Sequence, residues 1–405
     1  MSTSERSTAQ PSASFGLHLP DYPWELLAPY RERAHAHPDG AVDVSIGTPV
    51  DPTPQILRDA LAEATNSPGY PTTQGTAELR EAIAQWWRRR RNATDVTADM
   101  VMPVVGSKEF IAWLPLILGL GSHGREKAVA GTDAAAGADA AAGHGNTDVV
   151  VCPRVAYPTY AVGATLAGAE AVSADSLDEL DDATRSRVKL IYLNSPGNPT
   201  GSVLSRGELA RWVRDAREIG AVIASDECYA ELGWGEWEDS VPSILDTDVN
   251  GGDLTGLLGI YSMSKQSNLA GYRAAFVTGA PELMSDLINT RKHAGMMIPG
   301  PVQHAMTVGL ADDAHVTQQK NLYRARRELL KNALEAAGFS IEHSEAGLYL
   351  WATRGEDCWD TIGWLAERGI IAGPGAFYGP HGTQHVRIAL TAPDERIQAA
   401  VERLK

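Results

Sequence analysis

The chain has 405 residues, 43% hydrophobic and 21% charged, which is ordinary globular composition and more length than one hydrophobic core usually serves. A formal charge of −16 argues against nucleic acid or anionic membrane as a partner, because both demand basic surface. Its three cysteines, Cys152, Cys228 and Cys358, form neither a disulfide framework nor a zinc motif, so a reducing cytoplasm and no bound metal are expected.

In chain order, residues 1–14 are polar, lack the basic and apolar regions of a signal peptide, and read as a disordered leader. An N-terminal arm covers residues 15–45. The run Arg88 to Arg91, behind Trp86 and Trp87, reads as a solvated helix end without function. Gly106-Ser107-Lys108 is a glycine turn opening an apolar helix over residues 110–120, which is too short to span a membrane and contains Pro115. Residues 128–145 are nearly all Ala and Gly, cannot bury much surface, and read as a flexible insertion. Strands are expected at 148–152, 188–194, 221–226, 259–262 and 274–278, mostly separated by helices. That alternation implies a mainly parallel sheet covered on both faces, with ligands beyond the carboxyl ends of its strands. Past residue 290 the pattern changes to a long charged helix at 313–337 and strands at 348–352 and 386–390. A large domain over 46–290 and a small α+β domain over 291–405 are therefore expected, with residues 15–45 contributing to the latter.

Chemistry concentrates after the strands. Ser262-Met-Ser264-Lys265, followed by Gly271 and Arg273, offers an amine that could form an imine and donors suited to a phosphate dianion; a surface lysine after a strand is the bland alternative. Asp226 and Tyr229 end another strand, where a carboxylate could face a protonated pyridine nitrogen or merely cap the next helix. The loop Asn194-Ser-Pro-Gly-Asn198-Pro-Thr-Gly201 is rigid enough to aim Asn198 at a ligand. The Gly106 turn could bind phosphate through its free N–H groups or be an ordinary N-cap. Arg387, in a half-apolar strand, could meet a substrate carboxylate or sit at a wet edge.

Taken in order and spacing, these stretches resemble the class I/II aminotransferases of the aspartate aminotransferase superfamily, fold type I enzymes of pyridoxal 5'-phosphate, across nearly the whole chain. The resemblance implies an α/β fold with a mainly parallel seven-stranded sheet between helices and a smaller α+β domain. It implies Lys265 as imine-forming lysine and proton shuttle, Asp226 on the ring nitrogen, Asn198 and Tyr229 on the phenolic oxygen, and Tyr157 stacked on the ring. Gly106, Ser107, Lys108, Ser262, Ser264 and Arg273 would surround the phosphate. Tyr70, in Gly69-Tyr-Pro-Thr-Thr-Gln-Gly75, would reach the phosphate of a neighbouring subunit, which implies a homodimer with shared sites. Arg387, Asn198 and the backbone at Gly47 would bind substrate, the arginine taking its α-carboxylate.

A narrower resemblance, in residues 19–24, 45–52 and 106–115, is to the actinobacterial succinyldiaminopimelate transaminases of lysine biosynthesis. It implies nitrogen exchange between glutamate/2-oxoglutarate and N-succinyl-2-amino-6-oxopimelate. Another reaction on the same fold stays open, such as aspartate or aromatic transamination, decarboxylation or β C–S lysis, as does a non-catalytic regulator. Long dianionic substrates call for a second cation, and Arg31, Arg33, Arg291 and Lys292 are candidates that sequence does not separate.

Overall fold

The computed structural model describes Leu19 and residues 23–121 and 147–405; the expected leader at 1–14 and the Ala/Gly stretch at 128–145 lie outside the described residues. After the helix Ala28–His35 the chain forms a two-residue strand, β1 (Val42–Asp43). Seven further strands then build the main sheet: β2 (Val101–Val105), β3 (Val149–Cys152), β4 (Glu170–Ser173), β5 (Val188–Asn194), β6 (Val222–Asp226), β7 (Leu257–Ser262) and β8 (Ala274–Gly279). Their order is β2-β8-β7-β6-β5-β3-β4. Only β8 is reversed, antiparallel to β2 and β7, while the remaining pairs are parallel.

The strands are apolar on both sides because both faces are covered. In β5, Leu190 and Tyr192 enter one core, whereas Ile191 and Leu193 enter the other. Two strands escaped the sequence pattern. β2 contains Pro103, which cannot donate to a ladder but is tolerated at the sheet edge that β2 occupies. β4 is the opposite edge, and its mostly exposed residues carry no apolar signal.

The arginine run corrects the expectation of a solvated helix end. It closes the helix Ala77–Arg91, yet Arg91 is 4% exposed and donates to Glu231 at 2.9 Å, while Arg90 binds the same carboxylate at 3.1 and 2.5 Å. Burial raises the Glu231 pKa, but the Arg91 and Arg90 charges outweigh it and hold the carboxyl below its ordinary value. The buried acid pairs with Arg90 and Arg91, while Arg88 and Arg89 stay partly exposed. Trp86 and Trp87 pack edge-on against each other, with centroids 5.1 Å apart, and burial of such a ring contributes roughly 2–3 kcal/mol.

The C-terminal part contains β9 (Ser340–Glu342), β10 (Tyr349–Thr353), β11 (Ile370–Ile371), β12 (Gly373–Pro374) and β13 (Val386–Ala389). An antiparallel sheet runs β12-β13-β10-β9, and β1 pairs in parallel with β11. The N-terminal arm is thereby stitched into the C-terminal core, where Leu27, Ala34, Val42 and Val44 pack with Leu348 and Leu350. The helix Gly300–Ala311 puts Val302, Met306 and Leu310 into the main-sheet core, whereas the helix Ala314–Ala336 gives Tyr323, Leu330 and Leu334 to the second core. The cores thus divide near residue 312 rather than at the compositional change near 290. Among the described residues, no helix is long and apolar enough to cross a membrane.

Candidate active site

A cavity of about 910 Å³ opens between the two cores, at one edge of the main sheet. The topology explains its contents. The carboxyl ends of the parallel strands deliver Ser107 and Lys108 (after β2), Tyr157 (after β3), Asn198 (after β5), Asp226 and Tyr229 (β6), and Ser262, Ser264 and Lys265 (β7). Because β8 is reversed, its beginning lies on that same edge and brings Arg273 with it. The second core supplies the opposite wall with Arg31, Gly47, Tyr349 and Arg387.

Lys265 sits in the short helix Met263–Gln266, and its Nζ donates to the Gly47 carbonyl. Burial pulls its pKa below the ordinary lysine value, and the Arg387 and Arg273 charges push the same way. The result is an amine with more of its neutral, nucleophilic form at neutral pH. Asp226 Oδ2 accepts from the Tyr160 hydroxyl at 2.9 Å, and Oδ1 accepts from the Cys228 N–H at 3.2 Å. Burial raises the Asp226 pKa, with these two bonds opposing it; a cation placed against the carboxylate would oppose it further.

Arg387 is 3% exposed. Its Nη1 donates to Asn198 Oδ1 at 2.9 Å and its Nη2 to the Ser45 carbonyl at 2.6 Å, so the cation is fixed in direction before any ligand arrives. Its guanidinium lies 4.1 Å from the Tyr349 ring centroid. Burial disfavours the Tyr349 phenolate, yet the Arg387 and Lys265 charges lower its pKa overall. Tyr229 and Tyr349 hydroxyls are 3.3 Å apart. Asn198 is aimed by its loop: Asn194 Oδ1 accepts the Asn198 N–H at 2.8 Å, and Asn194 Nδ2 donates to the Pro196 and Asp226 carbonyls.

Ser107 and Lys108 open the helix Ser107–Ile117, whose N-cap is Gly106 at φ 81°. Arg273 lies directly on that glycine, since a Cβ there would be 1.9 Å from Arg273 Nη2. Gly47 answers a second close approach, in which a Cβ would be 2.0 Å from the Tyr349 hydroxyl. Ser262 Oγ donates to Ser264 Oγ at 2.8 Å, and Lys108 Nζ donates to the Tyr157 hydroxyl at 3.2 Å. The helix start, two hydroxyls and a guanidinium make a donor set that fits a phosphate dianion.

Tyr70 stands apart, 97% exposed and outside the cavity lining. Of the four candidate second cations only Arg31 lines the cavity. Arg291 is fully buried elsewhere, clamped to Glu109 at 3.0 and 2.9 Å, and Arg33 faces Glu367 at 3.8 Å. Lys292 is an exposed residue outside the lining. Sequence reasoning missed Tyr160 and Tyr349. Tyr160 lies three residues after Tyr157, in the first turn of the helix Thr159–Ala167, whereas Tyr349 has no local signal. Among the described residues, no group of three or more His, Cys, Asp or Glu could hold a metal ion.

Residues 40–404 match the family model of aminotransferase class I and II. The chain is 52% identical over 387 residues to the 4-dedimethylamino-4-oxo-anhydrotetracycline transaminase OxyQ of Streptomyces rimosus, covering 95% of this chain and 99% of that one. It is 51% identical over 387 residues to a probable aminotransferase of Mycobacterium tuberculosis, covering 95% and 85%. A solved structure described as a probable N-succinyldiaminopimelate aminotransferase from Thermus thermophilus superposes with a TM-score of 0.78 at 27% identity, covering 94% of this chain and 98% of that one.

Proposed function

Because the chain belongs to the class I and II aminotransferases, we propose that it exchanges nitrogen between glutamate and N-succinyl-2-amino-6-oxopimelate, with Lys265 as its catalytic lysine. Members of this family use pyridoxal 5'-phosphate and act on amino acids and keto acids. The cofactor supplies, when bound, an electron sink for negative charge developing at the substrate Cα.

Ser107, Lys108, Ser262, Ser264 and Arg273 would hold its phosphate, the Gly106 turn leaving room for the arginine. Asp226 would face its ring nitrogen, Asn198 and Tyr229 its phenolic oxygen, and Tyr157 its ring face. Arg387 receives the substrate α-carboxylate, which places Cα beside Lys265, and Lys265 Nζ takes the Cα proton and later returns one. A depressed lysine pKa suits that work, because the neutral amine is the base. What carries the reading is the convergence on one cavity of an amine with a lowered pKa, a buried carboxylate and a pre-aimed arginine.

Support for the acyl-diaminopimelate substrate comes from the name given to the Thermus thermophilus structure. The Streptomyces rimosus relative favours a second reading, amination of a polycyclic ketone, because its identity is higher and its coverage as complete. The exposed Tyr70 supports a homodimer in which this side chain enters the neighbouring site. Three buried free cysteines support a reducing, cytoplasmic setting.

Lys265→Ala should lose the lysine-linked visible absorbance of the holoprotein and reduce transamination by at least about a thousandfold; full turnover in this variant would refute the catalytic assignment. A half-reaction screen then separates substrates: rapid reaction with succinylated diaminopimelate supports the primary reading, and reaction with an amino-anhydrotetracycline alone supports the second.

A further inference from the structure

We infer that Arg31 is the anchor for a second, distal carboxylate, and so the residue that makes this site select chain-like diacids. The inference rests on the transaminase reading above and names the part of the cavity that reading leaves unassigned. Among the described residues, five cationic side chains line the cavity: Lys108, Lys265, Arg273, Arg387 and Arg31. Four are engaged within it. Arg387 is held by Asn198 and Ser45, Arg273 lies on Gly106 and donates to the Ala270 carbonyl, Lys265 donates to Gly47, and Lys108 donates to Tyr157.

Arg31 differs. Its guanidinium makes no hydrogen bond to a described residue; its Nε, like that of Arg387, is buried without a partner, and its side chain is 36% exposed, leaving donors that a ligand can satisfy. Among the described residues its nearest acid is Asp43 at 3.6 Å, well beyond the 2.7–2.9 Å of a charge-assisted hydrogen bond. That carboxylate is otherwise occupied, since Asp43 Oδ1 accepts from both the N–H and the Oγ of Ser45, at 2.9 and 2.6 Å.

Arg31 therefore presents an under-used guanidinium fork to the cavity. The cavity lining also includes three apolar residues, Trp24, Ala28, one turn before Arg31 on the same helix, and Ile46. Such residues suit a methylene chain, and the cation suits the carboxylate that ends the chain. Arg387 and Arg31 thus give the cavity a cation for each end of a diacid. A neutral polycyclic ketone would leave Arg31 without a counter-charge, so the residue bears directly on the choice between the two substrate readings.

The test uses two unreactive seven-carbon acids, pimelate with two carboxylates and heptanoate with one, titrated calorimetrically into the dialysed holoprotein. Wild type should bind pimelate about tenfold or more tightly than heptanoate, equivalent to ~1.4 kcal/mol. Arg31→Gln should abolish that preference by weakening pimelate while leaving heptanoate, which reports on the other end of the site, unchanged. Asp43→Asn keeps the acceptor for Ser45 but removes the competing charge, and should strengthen pimelate. Absence of a pimelate preference in wild type, whether the acids bind equally or not at all, overturns the inference; so does a preference that survives Arg31→Gln. Failure of glutamate to convert the holoprotein would instead sink the transaminase reading.

Discussion

Glu227 follows Asp226 in the chain but turns away from the cavity, where its Oε1 accepts the Ile244 N–H at 2.9 Å. It is 1% exposed. Burial pushes its carboxyl from 4.5 up to about 7, and neither that hydrogen bond nor Arg91 restores it. The folded pKa is raised, so the neutral form is favoured by folding. The stability this lends is complete below about pH 4.5 and disappears as pH rises through about 7. Glu227→Gln, which is permanently neutral, should match wild type at pH 4.5 and exceed it at pH 8.5 by on the order of 3 kcal/mol. Urea midpoints at the two pH values measure this; an equal offset at both would contradict it. The neighbouring carboxylates illustrate how direction sorts like residues: Asp226 points at the site and Glu227 into the core.

One face of the helix Ala314–Ala336 governs the segment around Lys265. His315 Nε2 lies 2.7 Å from Ser267 Oγ, and its Nδ1 lies 2.6 Å from Asp312 Oδ2. One turn on, Gln319 accepts from Asn268 Nδ2 at 2.7 Å and donates to Asp51 at 2.8 Å. A turn further, the Tyr323 hydroxyl donates to the Lys265 carbonyl at 3.4 Å. Spacings of four residues align these side chains. The same helix also contributes to the second core, so it ties the lysine segment to the opposite wall of the cavity. His315→Leu should destabilise the protein by ~1–3 kcal/mol, because it removes the imidazole partner of the buried Ser267 hydroxyl. If the contact is direct, Ser267→Ala should cost much less in the His315→Leu background than in wild type. Thermal or urea unfolding of the double-mutant cycle measures the coupling, and strict additivity would show that the histidine acts by packing alone.

The whole molecule leaves Tyr70 in solvent, an uncomfortable place for an aromatic ring that the resemblance assigns to a cofactor phosphate. Pairing of two chains would resolve the conflict, since an isologous dimer would give each site a residue from the other subunit. Sedimentation should therefore return twice the 43.3 kDa chain mass. A sharper check is complementation. Tyr70→Phe and Lys265→Ala, each impaired alone, should recover activity when refolded together, because a mixed dimer contains one site with both residues intact. Random pairing predicts recovery of about a quarter of wild-type activity, whereas no gain above the separate variants would place Tyr70 outside the partner's site.

Much of the architecture was legible in sequence because it depends on local pattern. Apolar runs ended by turn residues mark β3, β5, β6, β7 and β8; the chemistry-bearing residues lie at or just after the ends of β3, β5, β6 and β7, and Arg273 lies just before β8. Edge strands were not legible, since β2 tolerates a proline and β4 carries exposed side chains. Nor was the partnering of charges. Arg31 and Arg291 are alike as sequence, but Glu109 neutralises one while the other meets the cavity. Tyr160 and Tyr349 reach their partners across 66 and 120 residues of chain. Residue order alone determined which chemical groups the protein has and the sheet edge from which they emerge. Tertiary structure decided which of them remain unpaired and face one another, because burial and pairing are settled by contacts between segments that sequence keeps far apart.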